Sequence, residues 1–289
     1  MQRIASVVVG CLVVAAVGSA ATVAQAAPKA TVSSAKVVPG QAVLVTVSGA
    51  GKSAPDGKVG DQTLSFYATK TGYQAVFAVP VDTKPGAWTV KVDGAKDVTV
   101  TVAEKTFGET SVIVEEEMAN PGPEDRKTID ADNAAILAAA RKADETPQFT
   151  GVFKKPAGKV TSPFGEWRTF NDGHRSQHLG VDMGAAEGSK VKAINSGTVV
   201  LVRSTFLAGN VVVVAHGGGI ASAYYHLSEA KVAEGATIAI GDVVGLAGHT
   251  GRTTGPHLHL SVRVPGGFID PVPFFGLKVA PVRSIRPVH

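Results

Sequence analysis

Val-rich stretches of alternating polarity, separated by glycine and proline turns, restrict this 289-residue chain to a fold built mainly of β-strands. Over residues 28–104 these stretches are short and evenly spaced, with paired turn residues such as Pro39-Gly40 and Pro85-Gly86 between them. This spacing predicts a small antiparallel β-sandwich. The region contains no catalytic constellation, so we expect it to be a spacer, a binding module or a cover.

A second β-rich region is predicted over residues 151–276. Glycine-rich turns separate its expected strands, which indicates a compact, largely antiparallel β-sheet domain. The expected strands lie in "KVKAINSGTVVLVRS", "NVVVVAHG", "IASAYYHL" and "HLHLSVRV".

Two further segments complete the predicted organisation. Residues 105–150 are charged at first and then rich in alanine, which predicts a linker with one helix that Asp130 or Asp132 caps. Residues 277–289 are basic and contain proline, which predicts a loose tail.

The N-terminal segment predicts export. Arg3, a long Ala/Val stretch and the small residues before Ala27 are typical of a secretory signal peptide over residues 1–26. An uncleaved membrane anchor is the alternative, because the apolar stretch is long. After cleavage we expect no membrane span, a monomer, and a location in the periplasm or outside the cell.

The single cysteine limits the possible metal chemistry. Cys11 lies inside the predicted signal peptide, so the exported chain would have neither a disulfide nor a thiolate metal site. Any metal must then be held by histidine, aspartate or glutamate. The net charge of +4 is spread without a basic run or interleaved aromatic residues, so we expect no nucleic-acid partner.

The stretch "TGPHLHLSV" places two histidines one residue apart in an apolar run. On a β-strand, His257 and His259 would project from the same face. Two converging imidazoles are either a satisfied polar pair or half of a metal site.

Two more patterns favour a metal site. His178 and Asp182 are four residues apart in "HLGVD", and His226 lies in the apolar stretch "YYHLS". Catalytic zinc takes three protein ligands and keeps one position open, and its chemistry also needs groups that handle protons. The five residues of the three patterns supply both.

In these motifs the chain resembles the LytM/lysostaphin-type zinc metallopeptidases, the M23 peptidases. The resemblance runs from about Gly158 to Phe275. It includes "SPFGEWRTFN", "HLGVDMGAAEGSKVKAINSGTVV", "GNVVVVAHGGG", "YYHLS", "GDVVGLAGHTGRTTGPHLHLSVR" and "DPVPFF", in the order of the family.

The resemblance implies a role for each of the five residues. His178, Asp182 and His259 match the ligands of one zinc ion per chain. His257 and His226 match the two catalytic histidines, which orient the attacking water and stabilise the developing oxyanion. The implied reaction is hydrolysis of a peptide bond.

One loop departs from the family pattern. Well-studied members carry a tyrosine before the first zinc ligand, whereas "FGEWRTFNDGHRSQ" has none. Arg168 or Asn171 could take its place at the substrate. We expect the four remaining histidines to be solvated or structural: His174, His216, His249 and His289.

These observations predict an exported zinc metalloendopeptidase that hydrolyses peptide cross-links of bacterial peptidoglycan, with the bond from D-Ala to diaminopimelate as the expected target. The alternative is a catalytically inactive relative that activates a cell-wall amidase. Inactive members lack one or more of the five residues, and none is missing here. A β-sandwich adhesion module would leave the ordered motifs unexplained. We also expect the N-terminal region to restrain the catalytic one.

Overall fold

The computed structural model describes residues 27–144, 146–171 and 173–279. The predicted signal peptide, residues 1–26, lies outside the described residues, as do residues 280–289 of the predicted tail. The described chain is mainly β and its strands pair largely antiparallel, which confirms the predicted fold class.

Two sheets form the N-terminal region. Their strands are β1 Lys29–Val32, β2 Lys36–Val37, β3 Ala42–Ser48, β4 Gly57–Val59, β5 Gln62–Thr63, β6 Tyr67–Thr69, β7 Gly72–Ala78, β8 Gly86–Val92 and β9 Val98–Val102. One sheet has the strand order β1-β3-β7-β6 and the other β2-β9-β8-β4-β5. A hydrophobic core that includes Val45, Phe77, Val90 and Val100 draws on both sheets.

The first of these sheets is buried on both faces. Side chains alternate along β7, so Phe77 belongs to the core with the second sheet, while Val76 and Ala78 belong to the core of the C-terminal region. The backbone N–H of Ala78 donates to Pro265 O at 2.8 Å, and the Tyr67 ring meets the Phe149 ring edge-on. The two regions therefore share a continuous hydrophobic interface.

The segment that follows is folded onto the C-terminal region. It comprises β10 Glu109–Val112, α1 Glu116–Ala119, α2 Pro123–Arg141 and a 3-10 turn, Lys142–Asp144. Strand β10 pairs in parallel with residues 167–170 of the C-terminal region and forms the edge of a three-stranded sheet there.

The predicted cap of the helix is wrong. Neither Asp130 nor Asp132 caps α2, because the helix begins earlier, with Pro123 in its first turn. Proline suits this position because its fixed φ is helical and the first N–H groups lack partners in any case. Asp132 is instead buried, where it accepts from the backbone N–H of Phe206 at 2.9 Å and pairs with Arg203 at 2.8 Å.

The C-terminal region has twelve strands and a short helix. These are β11 Val160–Ser162, β12 Trp167–Phe170, β13 Arg175–Gln177, β14 Val181–Gly184, β15 Lys190–Lys192, β16 Gly197–Thr205, β17 Gly209–Gly217, β18 Ile220–Ala230, β19 Thr237–Ile238, β20 Val243–Ala247, β21 His257–Val264, β22 Gly267–Ile269 and α3 Pro271–Phe274. The main sheet has the order β11-β14-β21-β18-β17-β16-β19, with β15, β20 and β22 attached. All four stretches expected to contain strands do so: the first holds β15 and β16, and the others lie in β17, β18 and β21.

Helix α2 explains why the central strands are apolar on both faces. On β17, Val212 and Val214 face the main core, whereas Val211 and Val213 pack in a separate cluster with Ile136 of α2. The adjacent Tyr224 and Tyr225 of β18 face opposite sides: Tyr224 packs in the main core and Tyr225 in the cluster with α2. Both are therefore buried.

The first residues of the predicted tail are packed. Val279 is buried, and the Lys278 carbonyl accepts from the Gln74 side chain at 3.4 Å. Across the described ranges, no helix is both long and apolar enough to span a membrane.

Candidate metal centre and cleft

Strands β14 and β21, together with the residue after β13, bring the predicted ligands together. Asp182 of β14 lies directly opposite His259 of β21, and β18 pairs with the other edge of β21. His178 follows β13 at once, and its backbone is held by hydrogen bonds with Gly165 and Glu166. As a result, one ligand atom from each of His178, Asp182 and His259 lies within 4.8 Å of the others.

Hydrogen bonds fix the orientation of both imidazoles. His178 Nδ1 lies 2.8 Å from the carbonyl oxygen of Pro163, so this nitrogen carries the hydrogen and Nε2 is an acceptor. Ser261 Oγ donates to Leu179 O at 2.7 Å and therefore accepts from His259 Nε2 at 3.1 Å. His259 Nδ1 is then also an acceptor. Such outer partners commonly fix the tautomer of metal-binding histidines.

The three acceptor atoms converge. His178 Nε2 and His259 Nδ1 are 2.8 Å apart, and they lie 3.0 and 2.9 Å from Asp182 Oδ1. Acceptors that meet without a hydrogen between them repel one another, and a cation removes this repulsion. Two imidazoles and one carboxylate form a ligand set that zinc takes in proteins, so the residues fit this metal.

The protonation states agree with metal binding. Burial lowers the pKa of His259 to about 4, so its ring is neutral at pH 7. The Arg168 guanidinium pairs with Oδ2 of Asp182, and a cation this close favours the charged form of the carboxyl group. Asp182 is therefore a carboxylate.

Arg168, predicted to meet the substrate, lines the cleft and also contacts a proposed metal ligand. Its Nη2 lies 2.5 Å from Asp182 Oδ2 and 2.6 Å from Ser162 Oγ. Ser162 in turn donates to Glu166 at 2.6 Å. The guanidinium thus orients the Asp182 oxygen that does not face the histidines.

His226 and His257 flank the three ligands. Their ring centroids are 5.0 Å apart, and His257 Nε2 lies 3.6 Å from Asp182 Oδ1. Each Nδ1 lies 2.8 Å from a carbonyl oxygen, that of Thr250 for His226 and that of Gly255 for His257. Both Nε2 atoms are therefore acceptors that can take up a proton.

An irregularity in β18 positions His226. The pairing with β17 shifts register near this residue, and the φ angle of His226 is +58°. A bulge of this kind redirects a side chain from the regular alternation. Burial, together with the charges of His259 and His257, lowers the pKa of His226 to about 3.

A cleft runs past these five residues. One wall comes from the segment before the C-terminal region and includes Thr110, Val112, Ile129, Asn133 and Leu137. The other walls come from residues 161–268. Among the described residues, the lining includes none from 28–104, so the two N-terminal sheets do not cover the cleft in this structure.

The Asn171 side chain, also predicted to meet the substrate, forms hydrogen bonds within its own chain. Its side-chain amide forms two hydrogen bonds of 2.9 Å with the backbone of Val114 and donates to Glu116 at 3.3 Å. It therefore fixes the chain between β10 and α1.

His174, His216 and His249 are solvated or structural, as expected, whereas His289 lies outside the described residues. His174 is exposed at the cleft, next to Phe170. His249 is exposed and lies 3.2 Å from Glu187. His216 is fully buried between Ser196 O and Ser222 Oγ, and burial lowers its pKa to about 4.

Three cleft residues were missed by the sequence reasoning. Ser261 holds His259, and its position two residues later on the same strand was an available signal. The Tyr225 ring meets the His259 ring edge-on at 4.8 Å. Arg252 lies over the Phe170 ring, and nothing in its sequence context predicts this contact.

Comparison with known proteins identifies the domain. Residues 176–271 match the family model of peptidase family M23. The DD-carboxypeptidase/endopeptidase Mpg of Neisseria meningitidis serogroup B is 37% identical over 122 residues, which cover 39% of this chain and 26% of that protein. The peptidoglycan DD-endopeptidase ShyA of Vibrio cholerae is 42% identical over 89 residues, or 31% of this chain and 21% of that protein.

A third relative has a different activity. The murein hydrolase activator EnvC of Escherichia coli is 37% identical over 97 residues, which cover 34% of this chain and 23% of that protein. This chain thus spans about a quarter of the length of the curated relatives it matches.

A solved structure extends the likeness beyond the domain. A Pseudomonas aeruginosa protein, described as a candidate M23 peptidase, has 28% sequence identity and a TM-score of 0.60, covering 83% of this chain and 95% of that one. With the match over residues 176–271 and the fold in common, this chain carries a peptidase family M23 domain.

Proposed function

We propose that this chain is an exported zinc metalloendopeptidase that hydrolyses peptide cross-links of bacterial peptidoglycan. The observation that carries the proposal is the convergence of three acceptor atoms, from His178, Asp182 and His259, beside the imidazoles of His226 and His257 in one cleft. The names of the relatives Mpg and ShyA support peptide hydrolysis, and that of ShyA supports peptidoglycan as the substrate.

His178, Asp182 and His259 would hold the metal. When bound there, zinc supplies Lewis acidity and lowers the pKa of water towards about 7. The chain itself supplies the proton handling: His257 accepts a proton at Nε2 from the attacking water. The proton taken from the water is then donated to the departing amine, either by His257 itself or after transfer to Nε2 of the neighbouring His226.

Two further features depend on this proposal. Peptidoglycan lies outside the cytoplasmic membrane, so the activity requires export, for which residues 1–26 are the proposed signal. The proposed target is the cross-link between D-Ala and diaminopimelate.

The alternative function is activation of a separate cell-wall amidase. The match to the murein hydrolase activator EnvC is the observation that favours it. The complete set of five residues favours catalysis instead, because an activator needs neither converging metal ligands nor imidazoles tied by hydrogen bonds.

Digestion of purified sacculi distinguishes an endopeptidase from an activator of an amidase. We expect residues 27–289, loaded with zinc, to convert cross-linked muropeptide dimers into monomers, as read by mass spectrometry. Unchanged dimers in the presence of stoichiometric zinc would overturn the endopeptidase proposal. Release of peptides only after an amidase is added would support the activator instead.

A further inference from the structure

One arginine in the cleft is fixed in place but has no anionic partner among the residues that the structure describes. The guanidinium of Arg252 lies 3.7 Å from the centroid of the Phe170 ring. Its backbone N–H donates to Leu207 O at 2.8 Å, which anchors the loop. Gly251 before it has φ +76°, and a Cβ there would lie 2.4 Å from Gly209 N. The loop therefore holds Arg252 in one position against the aromatic ring.

Other arginines in this part of the molecule are paired. Arg168 meets Asp182, Arg175 meets Glu109 and Arg203 meets Asp132. Within the described ranges, no carboxylate oxygen lies within 4.0 Å of the Arg252 side chain. The positive charge of Arg252 is thus available to a ligand in the cleft.

The surroundings of Arg252 favour an anion. Burial, and next the charge of Arg168, lower the pKa of Arg252 to about 10, so the guanidinium is still protonated at pH 7. A partly desolvated cation gains most from an anion that replaces its lost water. The planar guanidinium forms two parallel hydrogen bonds with a carboxylate, and stacking on a ring leaves its edge free for this.

We propose that Arg252 determines specificity by binding a free carboxylate of the peptide substrate. This inference rests on the proposed function, because the anion must belong to a peptide held at the metal centre. The carboxylate has two possible sources. It is either the C-terminal carboxylate of the peptide or a second carboxylate on a residue beside the scissile bond.

Three peptides of one sequence separate these sources. The first carries both carboxylates, the second has its C-terminus amidated, and the third has the other carboxylate amidated. We expect kcat/KM of the wild-type protein to fall about 10- to 100-fold for the amide that removes the bound carboxylate, the scale of a charge-assisted hydrogen bond. The carboxylate whose amidation lowers kcat/KM is the one that Arg252 binds.

Variants then assign the preference to one side chain. The Arg252→Gln variant should cleave the peptide with the free carboxylate and the peptide with that carboxylate amidated at similar rates. The Arg252→Lys variant should keep part of the preference for the free carboxylate. Arg175→Gln is the matched control, because Arg175 also lies over an aromatic ring, that of Trp167 at 4.6 Å, but pairs with Glu109. This control should retain the full preference. Zinc content is measured for each protein.

The outcomes separate this inference from the proposed function. Equal cleavage of all three peptides by the wild-type protein would overturn the role of Arg252 and leave the peptidase intact. A full preference in a zinc-loaded Arg252→Gln variant would do the same. Cleavage of no peptide by the zinc-loaded wild-type protein would overturn the proposed function, and this inference with it.

Discussion

His259 and Ser261 lie two residues apart on β21, and His259 Nε2 donates to Ser261 Oγ over 3.1 Å. This hydrogen bond sets which nitrogen of His259 is free, because the serine hydroxyl already donates to Leu179 O. Ser261 therefore leaves Nδ1 of His259 without a hydrogen, and this is the nitrogen that faces His178 and Asp182.

Ser261→Ala should weaken metal binding without removing a ligand. Loss of an outer hydrogen bond to a metal-binding histidine costs about 10- to 100-fold in metal affinity. Zinc affinity is measured by competition with a chelator of known strength. Ser222→Ala is the control, because Ser222 is also buried and bonds to a histidine, His216, that lies outside the proposed ligand set. Equal zinc affinity in both variants would remove the assigned role of Ser261.

Gly180→Ala should disrupt the same histidine. A Cβ at Gly180 would lie 2.5 Å from His259 Nε2 and 2.7 Å from Leu260 O, so the strand or the ring must move. We expect lower zinc affinity and a lower melting temperature. Gly184→Ala is the control four residues later, at the end of β14, because the nearest neighbour of its Cβ would be a side-chain atom at 3.4 Å. Normal zinc affinity in Gly180→Ala would contradict the close contact.

The free energy of unfolding should decrease as the pH is lowered, because His216 is buried in its neutral form. Burial lowers its pKa from 6.5 to about 4, so between these values the unfolded chain binds a proton that the folded chain excludes. The contribution of His216 is therefore complete above pH 6.5 and is lost as the pH falls towards 4. From pH 7 to pH 4, the wild-type protein should lose about 3 kcal/mol more unfolding free energy than His216→Gln, at about 1.4 kcal/mol per pKa unit.

Urea unfolding of the metal-free protein at several pH values measures this difference. His249→Gln serves as the control, because His249 is exposed. If wild type and His216→Gln lose stability in parallel, His216 does not exclude the proton.

Helix α2 should contribute to the stability of the C-terminal region. Ile136 is buried against β17 and β18, so Ile136→Ala should cost about 2–5 kcal/mol of unfolding free energy. Ile113→Ala is the control in the same segment, because Ile113 is 74% exposed and its truncation should cost within about 0.5 kcal/mol. Equal stability of the two variants in urea would show that α2 is not part of this core.

This packing also bears on the predicted restraint by the N-terminal region. Deleting residues 1–150 would uncover the α2 face of β17 and β18 as well as removing the N-terminal sheets. Restraint is therefore better tested in the whole chain, where the cleft wall from residues 110–137 can be altered by substitution.

The sequence predicts much of the site because its signals are local. Alternation along β21 places His257 and His259 on one face, and the structure brings both next to Asp182. The hydrogen-bond partners that orient three of the rings could not be predicted from the sequence. Pro163, Thr250 and Gly255 contribute only their backbone carbonyl groups. Any residue type has such a carbonyl, so no sequence pattern marks it.

Tyr225 and His226 show why alternation alone fails at one position. Consecutive strand residues should face opposite sides, yet their ring centroids lie 4.8 and 6.0 Å from that of His259. The positive φ of His226 in an irregular part of β18 makes this possible. Asp132 shows a similar limit, because its partner Arg203 is distant in sequence and no local pattern marks the ion pair that the buried carboxylate forms.

Zinc content and sacculus hydrolysis, measured together for five alanine variants, test the central claim most directly. His178→Ala, Asp182→Ala and His259→Ala should lose zinc and activity together, because each removes a proposed ligand. His226→Ala and His257→Ala should keep nearly stoichiometric zinc and lose about 10²- to 10⁴-fold in turnover, the scale of one general acid–base group. Zinc lost from His257→Ala but kept in His259→Ala would reverse their roles, and full activity in all five variants would contradict the metallopeptidase account.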